Sequence, residues 1–393
     1  MYLTKEEERV YDGECGWANQ KSMEILVRLG ELFDATRLIP ISSAHVSGVS
    51  YKTLGDAPIE YLETLANAHA EVRVKTTLNP QSLDREYLGR KYGASLRDKQ
   101  MSILKQFERI GLTQSLTCTP YYLDEPKRNA HLAWAESSAV VYVNSVLGAW
   151  TNREGGPSAL AAAIIGKTPD YGIHKAENRR PKVLVKIVKR LQNETEFGAL
   201  GAYLGRILGD RIPAIQGLEE ATKDDLKQLG AALASTGMVN MFHCTDESHS
   251  KKLQTEEKTV VKAEDIRRTA QELSTALAKK PDLVFIGCPH CSLNEIRQVA
   301  NLIGSRKVKA GTEFWVCTSH CVKQRAKDYV KKIERSGGHV LEGVCTVVSW
   351  TERLGIETIM TNSAKTAHYA PTLSRAKATL ATKEECLKVA FRG

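Results

Sequence analysis

Apolar residues recur at helical spacing over residues 3–35, with Leu26, Leu29 and Phe33 on one face, and the spacing predicts a helix there. Helices are also predicted over 58–69, with Pro58 in the first turn, and over 95–110, ended by Gly111. Short apolar runs at 38–41, 72–74 and 138–143 have the length of buried strands, and a small-residue helix follows Pro157. Residues 183–188 read as a strand. Gly198, Gly201, Gly205 and Gly209 then space a helix that packs closely on another backbone. After about residue 220 the pattern becomes repeated β–α units. Helices over 222–234, 263–279, 292–302 and 320–335 precede strands at 238–242, 283–286 and 314–316 and a strand and turn around Val344-Cys345. Apolar strands alternating with amphipathic helices predict an α/β fold with mostly parallel sheets. The expected division is an N-terminal α/β region over 1–220, in one lobe or two interleaved ones, and a C-terminal α/β region over 221–393.

The strands of the second half run into reactive residues: His243-Cys244-Thr245, Gly287-Cys288-Pro289-His290-Cys291, Cys317-Thr318-Ser319-His320-Cys321 and Thr361-Asn362-Ser363. Open α/β sheets bind ligands at the carboxyl ends of their strands, so these clusters predict one site there.

Composition narrows the class. The chain has 393 residues, 42% of them apolar and 26% charged, as in an ordinary globular protein. Its polar start and the lack of a long apolar run predict no signal peptide, no membrane span and a cytoplasmic location. The net charge of +9 suits an anionic substrate or an acidic partner. A nucleic-acid binder would show a basic stripe interleaved with aromatics, and aromatics are only 6%. In a reducing compartment the nine cysteines read as metal ligands or reactive thiols. Cys288-x2-Cys291 with Cys317-x3-Cys321 matches a structural zinc site, and a zinc-stabilised structural or nucleic-acid-binding protein is one reading. An iron–sulfur cluster that acts as a Lewis acid needs three thiolates and an open iron, for which Cys118, Cys288 and Cys345 are loop candidates.

Several segments, in order, resemble the aconitase X family over essentially the whole chain. They are Ile41-Ser42-Ser43-Ala44-His45-Val46-Ser47-Gly48, Thr76-Thr77-Leu78-Asn79-Pro80, Thr117-Cys118-Thr119-Pro120-Tyr121 and Trp134-Ala135-Glu136-Ser137-Ser138-Ala139. Asn144-Ser145-Val146-Leu147-Gly148, Thr151-Asn152-Arg153-Glu154-Gly155-Gly156-Pro157, Gly287-Cys288-Pro289-His290 and Thr361-Asn362-Ser363-Ala364-Lys365 with His368-Tyr369 complete the set. The resemblance implies an aconitase-like multidomain architecture and an iron-sulfur-dependent dehydratase. It assigns the cluster, of the 4Fe–4S type with one open iron, to Cys118, Cys288 and Cys345. The implied archaeal-type reaction, in isoprenoid precursor synthesis, converts (R)-5-phosphomevalonate to trans-anhydromevalonate 5-phosphate and water. The bacterial alternative dehydrates cis-3-hydroxy-L-proline. Single-chain relatives carry a fused swivelling domain. The end of the sequence at Gly393 therefore implies a large subunit that works with a separate small subunit, which brings that domain and a serine base.

Roles follow from that reaction. Ser43 and His45 are expected beside the substrate, with His45 protonating the departing hydroxyl or orienting a water. Gly48 allows close backbone approach and Asn79 holds a sulfide or a substrate oxygen. Glu136, Asn144, Arg153 and Glu154 form the densest polar set of the first half. Arg153 would clamp a carboxylate, and Glu154 would orient it or move a proton. Asn362, Ser363, Lys365 and His368 suit a phosphate or carboxylate, and His290 supports the cluster ligands.

Overall fold

The structure is a computed structural model and describes residues 1–276 and 280–392. It divides into two compact units, Met1–Arg180 and Pro181–Gly393. The division falls earlier than the boundary expected near residue 220. The strand at 183–187 pairs with one at 257–261, a long-range partnership that local periodicity does not carry.

The first unit has five strands: β1 (Leu38–Pro40), β2 (Ser43–Val46), β3 (Lys75–Leu78), β4 (Leu132–Trp134) and β5 (Lys167–Pro169). β3, β2 and β4 form a parallel sheet in that order, and β1 pairs antiparallel with β5. The small-residue helix Gly156–Ile165 packs on β2 and on the helix Trp17–Leu32, and its Ala and Ile side chains join the unit's core. The helix expected over 3–35 is two helices, Lys5–Tyr11 and Trp17–Leu32. Gly13 and Gly16 sit at φ +90 and +89 between them, which no helix tolerates. The apolar run at 138–143 is a helix, Ser137–Tyr142, and not a strand. The Glu136 side chain accepts the Ser138 amide at 3.3 Å and caps it.

The second unit has two parallel sheets. In the first, β6 (Val183–Ile187), β7 (Pro213–Gln216), β8 (His243–Thr245) and β9 (Glu257–Val261) run in the order β8-β7-β6-β9. In the second, β10 (Leu283–Ile286), β11 (Glu313–Thr318), β12 (His339–Glu342), β13 (Thr358–Thr361) and β14 (Lys377–Leu380) run in the order β12-β11-β10-β13-β14. The strand expected at 238–242 begins at His243, which makes His243 and Cys244 part of the ladder. Cys345 follows β12 and leads into the short helical turn Thr346–Val348, in keeping with the strand and turn expected there. The helix expected over 320–335 breaks at Ala326 into His320–Arg325 and Lys327–Arg335. The helix expected over 263–279 ends at Leu273, and positions 277–279 lie outside the described residues.

Gly201 and Gly205 lie where the helix Glu194–Leu208 meets the helix Lys223–Thr236. A Cβ on Gly201 would stand 2.3 Å from the Leu229 carbonyl oxygen, and one on Gly205 would stand 2.3 Å from Thr236 Oγ1. Gly201 and Gly205 thus bring two backbones together as the sequence predicts, whereas Gly198 faces Ala364 and Gly209, at φ +67, ends the helix with nothing within 4 Å of a Cβ.

Candidate active site

In the first unit the polar residues gather where the parallel strands end. His45 ends up fully buried on β2, opposite Thr77 on β3 and Trp134 on β4. His45 Nδ1 lies 2.7 Å from Thr77 Oγ1 and Nε2 lies 3.4 Å from Asn79 Oδ1. Asn79 Nδ2 donates to Glu136 Oε2 at 2.9 Å. Burial lowers the His45 pKa to about 4, against the upward pull of Glu136 and the Asn79 hydrogen bond, so the ring is neutral at neutral pH. Backbone bonds fix the loops that carry this chain of contacts. The Asn79 amide donates to the Val46 carbonyl at 2.9 Å, and the Ala135 amide donates to the His45 carbonyl at 2.8 Å. The Thr117 amide donates to the Leu78 carbonyl at 2.9 Å, which sets half-buried Cys118 beside the same strand end.

Other predicted residues of this unit go elsewhere. Ser43 starts β2, and its Oγ accepts the Trp134 indole N–H at 3.2 Å. It opens on a cavity of about 290 Å³ that Lys75, Lys127 and Trp134 also line. Gly48, at φ +82, lines an apolar groove with Leu54, Tyr61 and Pro157, a surface unsuited to a carboxylate. The close backbone approach belongs to Gly156, where a Cβ would stand 2.7 Å from the Ser47 carbonyl oxygen.

Asn144 and Glu154 turn to internal partners. The Asn144 amide spans the backbone of Thr151, donating to its carbonyl at 2.9 Å and accepting its N–H at 3.0 Å. Glu154 is buried, its carboxylate held by Ser158 at 2.6 Å and Thr168 at 3.3 Å, and burial raises its pKa. Arg153 bridges by its backbone to Trp134.

In the second unit the carboxyl ends of β10, β12 and β13 converge. Gly287 sits at φ +119, and a Cβ there would meet the Cys317 carbonyl oxygen at 2.4 Å, so only glycine lets the Cys288 loop pass. His290 Nε2 donates to the Val344 carbonyl at 2.9 Å and ties this loop to the one bearing Cys345. Behind it, fully buried Lys227 donates to the His290 carbonyl at 3.2 Å and forms an ion pair with Glu295. Burial pushes the Cys345 thiol up to about 12, and nearby Cys288 adds to the rise. The amides of Val348 and Val347 and the charge of Lys365 act the other way. Lys365 is thus in electrostatic reach of Cys345. Ser363 Oγ accepts the Thr366 amide at 3.2 Å and caps the helix Ala364–Tyr369. Burial lowers the pKa of half-buried His368, and the charge of Arg206 adds to the lowering. Asn362 Nδ2 donates to Glu194 at 3.1 Å.

The cysteines sort by place. Buried Cys288 and half-buried Cys345 lie near enough that the charge of Cys288 adds to the rise in the Cys345 pKa. Cys118 is carried by the other unit. Among the described residues no group of three or more His, Cys, Asp or Glu side chains forms a metal-holding cluster. This covers the Cys288, Cys291, Cys317 and Cys321 set read as a zinc site and equally the Cys118, Cys288 and Cys345 set. Cys317 Sγ faces Thr346 Oγ1 at 3.7 Å, and Cys321 lies on the helix His320–Arg325. Sequence reasoning missed Thr77, Lys227, Glu295 and Glu194. Two signals were available: Lys227, a charge on the Leu/Ala/Gly side of its helix, and the Ser292-x-x-Glu295 capping pattern.

These features define a mostly parallel α/β protein with polar groups and thiols at its strand ends. The family models for the aconitase X first, second and third domains match residues 1–177, 181–278 and 281–392. The chain belongs to the aconitase X family. It is 45% identical over 379 residues to a phosphomevalonate dehydratase large subunit of Methanothermobacter thermautotrophicus, covering 94% of each chain. It is 33% identical to a cis-3-hydroxy-L-proline dehydratase of Pseudomonas aeruginosa, over 97% of this chain and 68% of that protein. A crystal structure of Thermococcus kodakaraensis aconitase X in its holo-form is 40% identical. It superposes with a TM-score of 0.92, covering 99% of this chain and 100% of that one. No helix among the described residues is long and apolar enough to cross a membrane.

Proposed function

We propose that the chain is the large subunit of a two-chain hydro-lyase that converts (R)-5-phosphomevalonate to trans-anhydromevalonate 5-phosphate and water. The observation that carries this reading is the 45% identity to a phosphomevalonate dehydratase large subunit across 94% of both chains. The hydroxyproline reading has lower identity and a partner sequence that extends well beyond the match. A separate small subunit would bring the swivelling domain and a serine base.

Cys118, Cys288 and Cys345 are the residues proposed to hold an iron–sulfur cluster, and the closeness of Cys288 to Cys345 supports that assignment. Such a cluster, when bound, supplies a Lewis-acid iron that draws charge from a leaving hydroxyl. The chain's own residues hold and orient. His45, neutral and bracketed by Thr77 and Asn79, acts as a fixed hydrogen-bonding group and not as a standing cation. Asn79 couples it to Glu136. Lys365 brings positive charge to an anionic substrate group beside Cys345. Asn144 and Glu154, each held by internal partners, support the loops that carry these groups.

The test is anaerobic co-expression with the candidate small subunit, followed by assays on (R)-5-phosphomevalonate and cis-3-hydroxy-L-proline. Turnover of phosphomevalonate is expected. Turnover of the proline alone would overturn the substrate, and a colourless, folded and zinc-loaded complex would overturn the cofactor.

A further inference from the structure

Asn362 follows β13 and is 3% exposed. Its Nδ2 donates to Glu194 Oε1 at 3.1 Å, and Glu194 is held in turn by Lys383 at 3.2 Å. Lys383 is itself buried and anchored on Gln298 Oε1 at 2.6 Å. Thr195 Oγ1 ties the Glu194 helix to the Ala381 carbonyl at 3.1 Å and lies 3.4 Å from the Asn362 carbonyl. A carboxylate beside an ammonium group only accepts hydrogen bonds, so the NH2 side of the Asn362 amide must face Glu194. The amide cannot turn over. Its Oδ1 is therefore committed to the other direction, where it is buried and has no hydrogen-bond partner among the described residues. A buried amide oxygen requires a donor.

That requirement excludes a fully ionised phosphate or carboxylate oxygen, although the Asn362-Ser363-x-Lys365 sequence suggests one at this loop. A hydroxyl satisfies it. In a dehydration the leaving hydroxyl is the donor that substrate has and product lacks. We propose that Glu194, braced by Lys383, is a positioning residue that fixes the Asn362 carbonyl oxygen toward the strand-end site, where it accepts the O–H of the substrate's leaving hydroxyl. The site thereby favours hydroxylated substrate over dehydrated product. This inference rests on the dehydratase reading above.

The test uses the chain assembled with its small subunit. KM for (R)-5-phosphomevalonate and Ki for trans-anhydromevalonate 5-phosphate are measured for wild type, E194Q, N362L and the double variant. Gln accepts as well as donates, so E194Q frees the amide to turn over. E194Q is expected to raise KM about tenfold, the weight of one lost hydrogen bond, with Ki within about twofold of wild type. E194D, which keeps an acceptor, is expected to restore most of the loss. In the N362L background E194Q should add nothing, because its effect runs through the amide. Equal weakening of substrate and product, or additive effects in the double variant, would overturn the proposal. N362L alone reads the same substrate–product split if E194Q fails to assemble. A wild-type complex that turns over only cis-3-hydroxy-L-proline overturns the proposed substrate alone. The same KM and Ki comparison is then made with that hydroxylated compound and its dehydrated product.

Discussion

Lys227 is 1% exposed and touches Glu295, the His290 carbonyl and, at 3.8 Å, Asp224. A buried ammonium group tolerates this setting only because its partners are fixed. Glu295 also accepts the Ser292 amide at 2.7 Å and closes a capping box on the helix Leu293–Ile303. Replacing Lys227 with Met keeps the stem and leaves Glu295 buried without its cation. The loss is expected to be about 3–5 kcal/mol, read as a lower urea midpoint. K227M/E295L, with both charges gone, should recover much of it. If the single variant unfolds no earlier than wild type, the pair does not hold the Cys288 loop. A second expectation concerns pH. Burial holds His45 at about 4 and His174, 2.9 Å from His131 Nδ1 to Nδ1, at about 3. Both are neutral in the fold, while the unfolded chain takes up their protons near the ordinary value of 6.5. Their contribution is complete above about 6.5 and is lost as pH falls toward 4 and 3, at up to about 1.4 kcal/mol per pH unit for each histidine. Melting temperatures measured from pH 8 to 4.5 should be level and then fall, and H174N should flatten the fall. An unchanged slope in that variant would show that His174 carries none of it.

The Glu194–Leu208 and Lys223–Thr236 helices meet through glycine, and this closeness opposes ordinary helix propensity. Alanine at position 201 would favour the isolated helix by about 1 kcal/mol. Its Cβ would also enter to 2.3 Å of the Leu229 carbonyl, a backbone atom that cannot rotate away. Overpacking of this kind costs about 1–3 kcal/mol, so G201A is expected to melt a few degrees below wild type. A higher melting point would mean that the helices stand further apart. The glycine spacing was legible in the sequence because three and four residues are one helical turn. The β–α alternation after residue 220 was legible for the same reason. The run at 138–143 is ambiguous in the sequence because the five apolar residues after Ser138 fit a strand or a buried helix, and the Glu136 cap decides between them. Strand pairing was not legible at all. Thr77 meets His45 only because β3 lies beside β2, and Glu295 meets Lys227 across 68 positions.

Across the whole chain the nine cysteines differ by surroundings more than by spacing. The pairs Cys288-x2-Cys291 and Cys317-x3-Cys321 draw the eye, yet Cys291 is buried and held well above its ordinary pKa while Cys317 lies within β11. Burial also raises the Cys386 pKa inside the helix Lys383–Ala390, where it packs against the Ala381 carbonyl. Cys15 and Cys244 are exposed. Cys118, Cys288 and Cys345 lie in loops, as Cys291 does too, and the resemblance that implies the three as ligands rests on the residues around each. A thiolate ligand lost to alanine leaves the metal group a bond short, whereas a buried packing thiol lost to alanine leaves a small void. C118A, C288A and C345A, each prepared anaerobically with the small subunit, are therefore expected to lose visible absorbance, bound iron and turnover together. C386A is expected to keep its iron and colour and to melt slightly lower. C15S and C244S should match wild type in iron and in melting temperature. Iron retained in one of the first three would remove that cysteine from the ligand set, and iron lost in C291A or C317A would name its replacement.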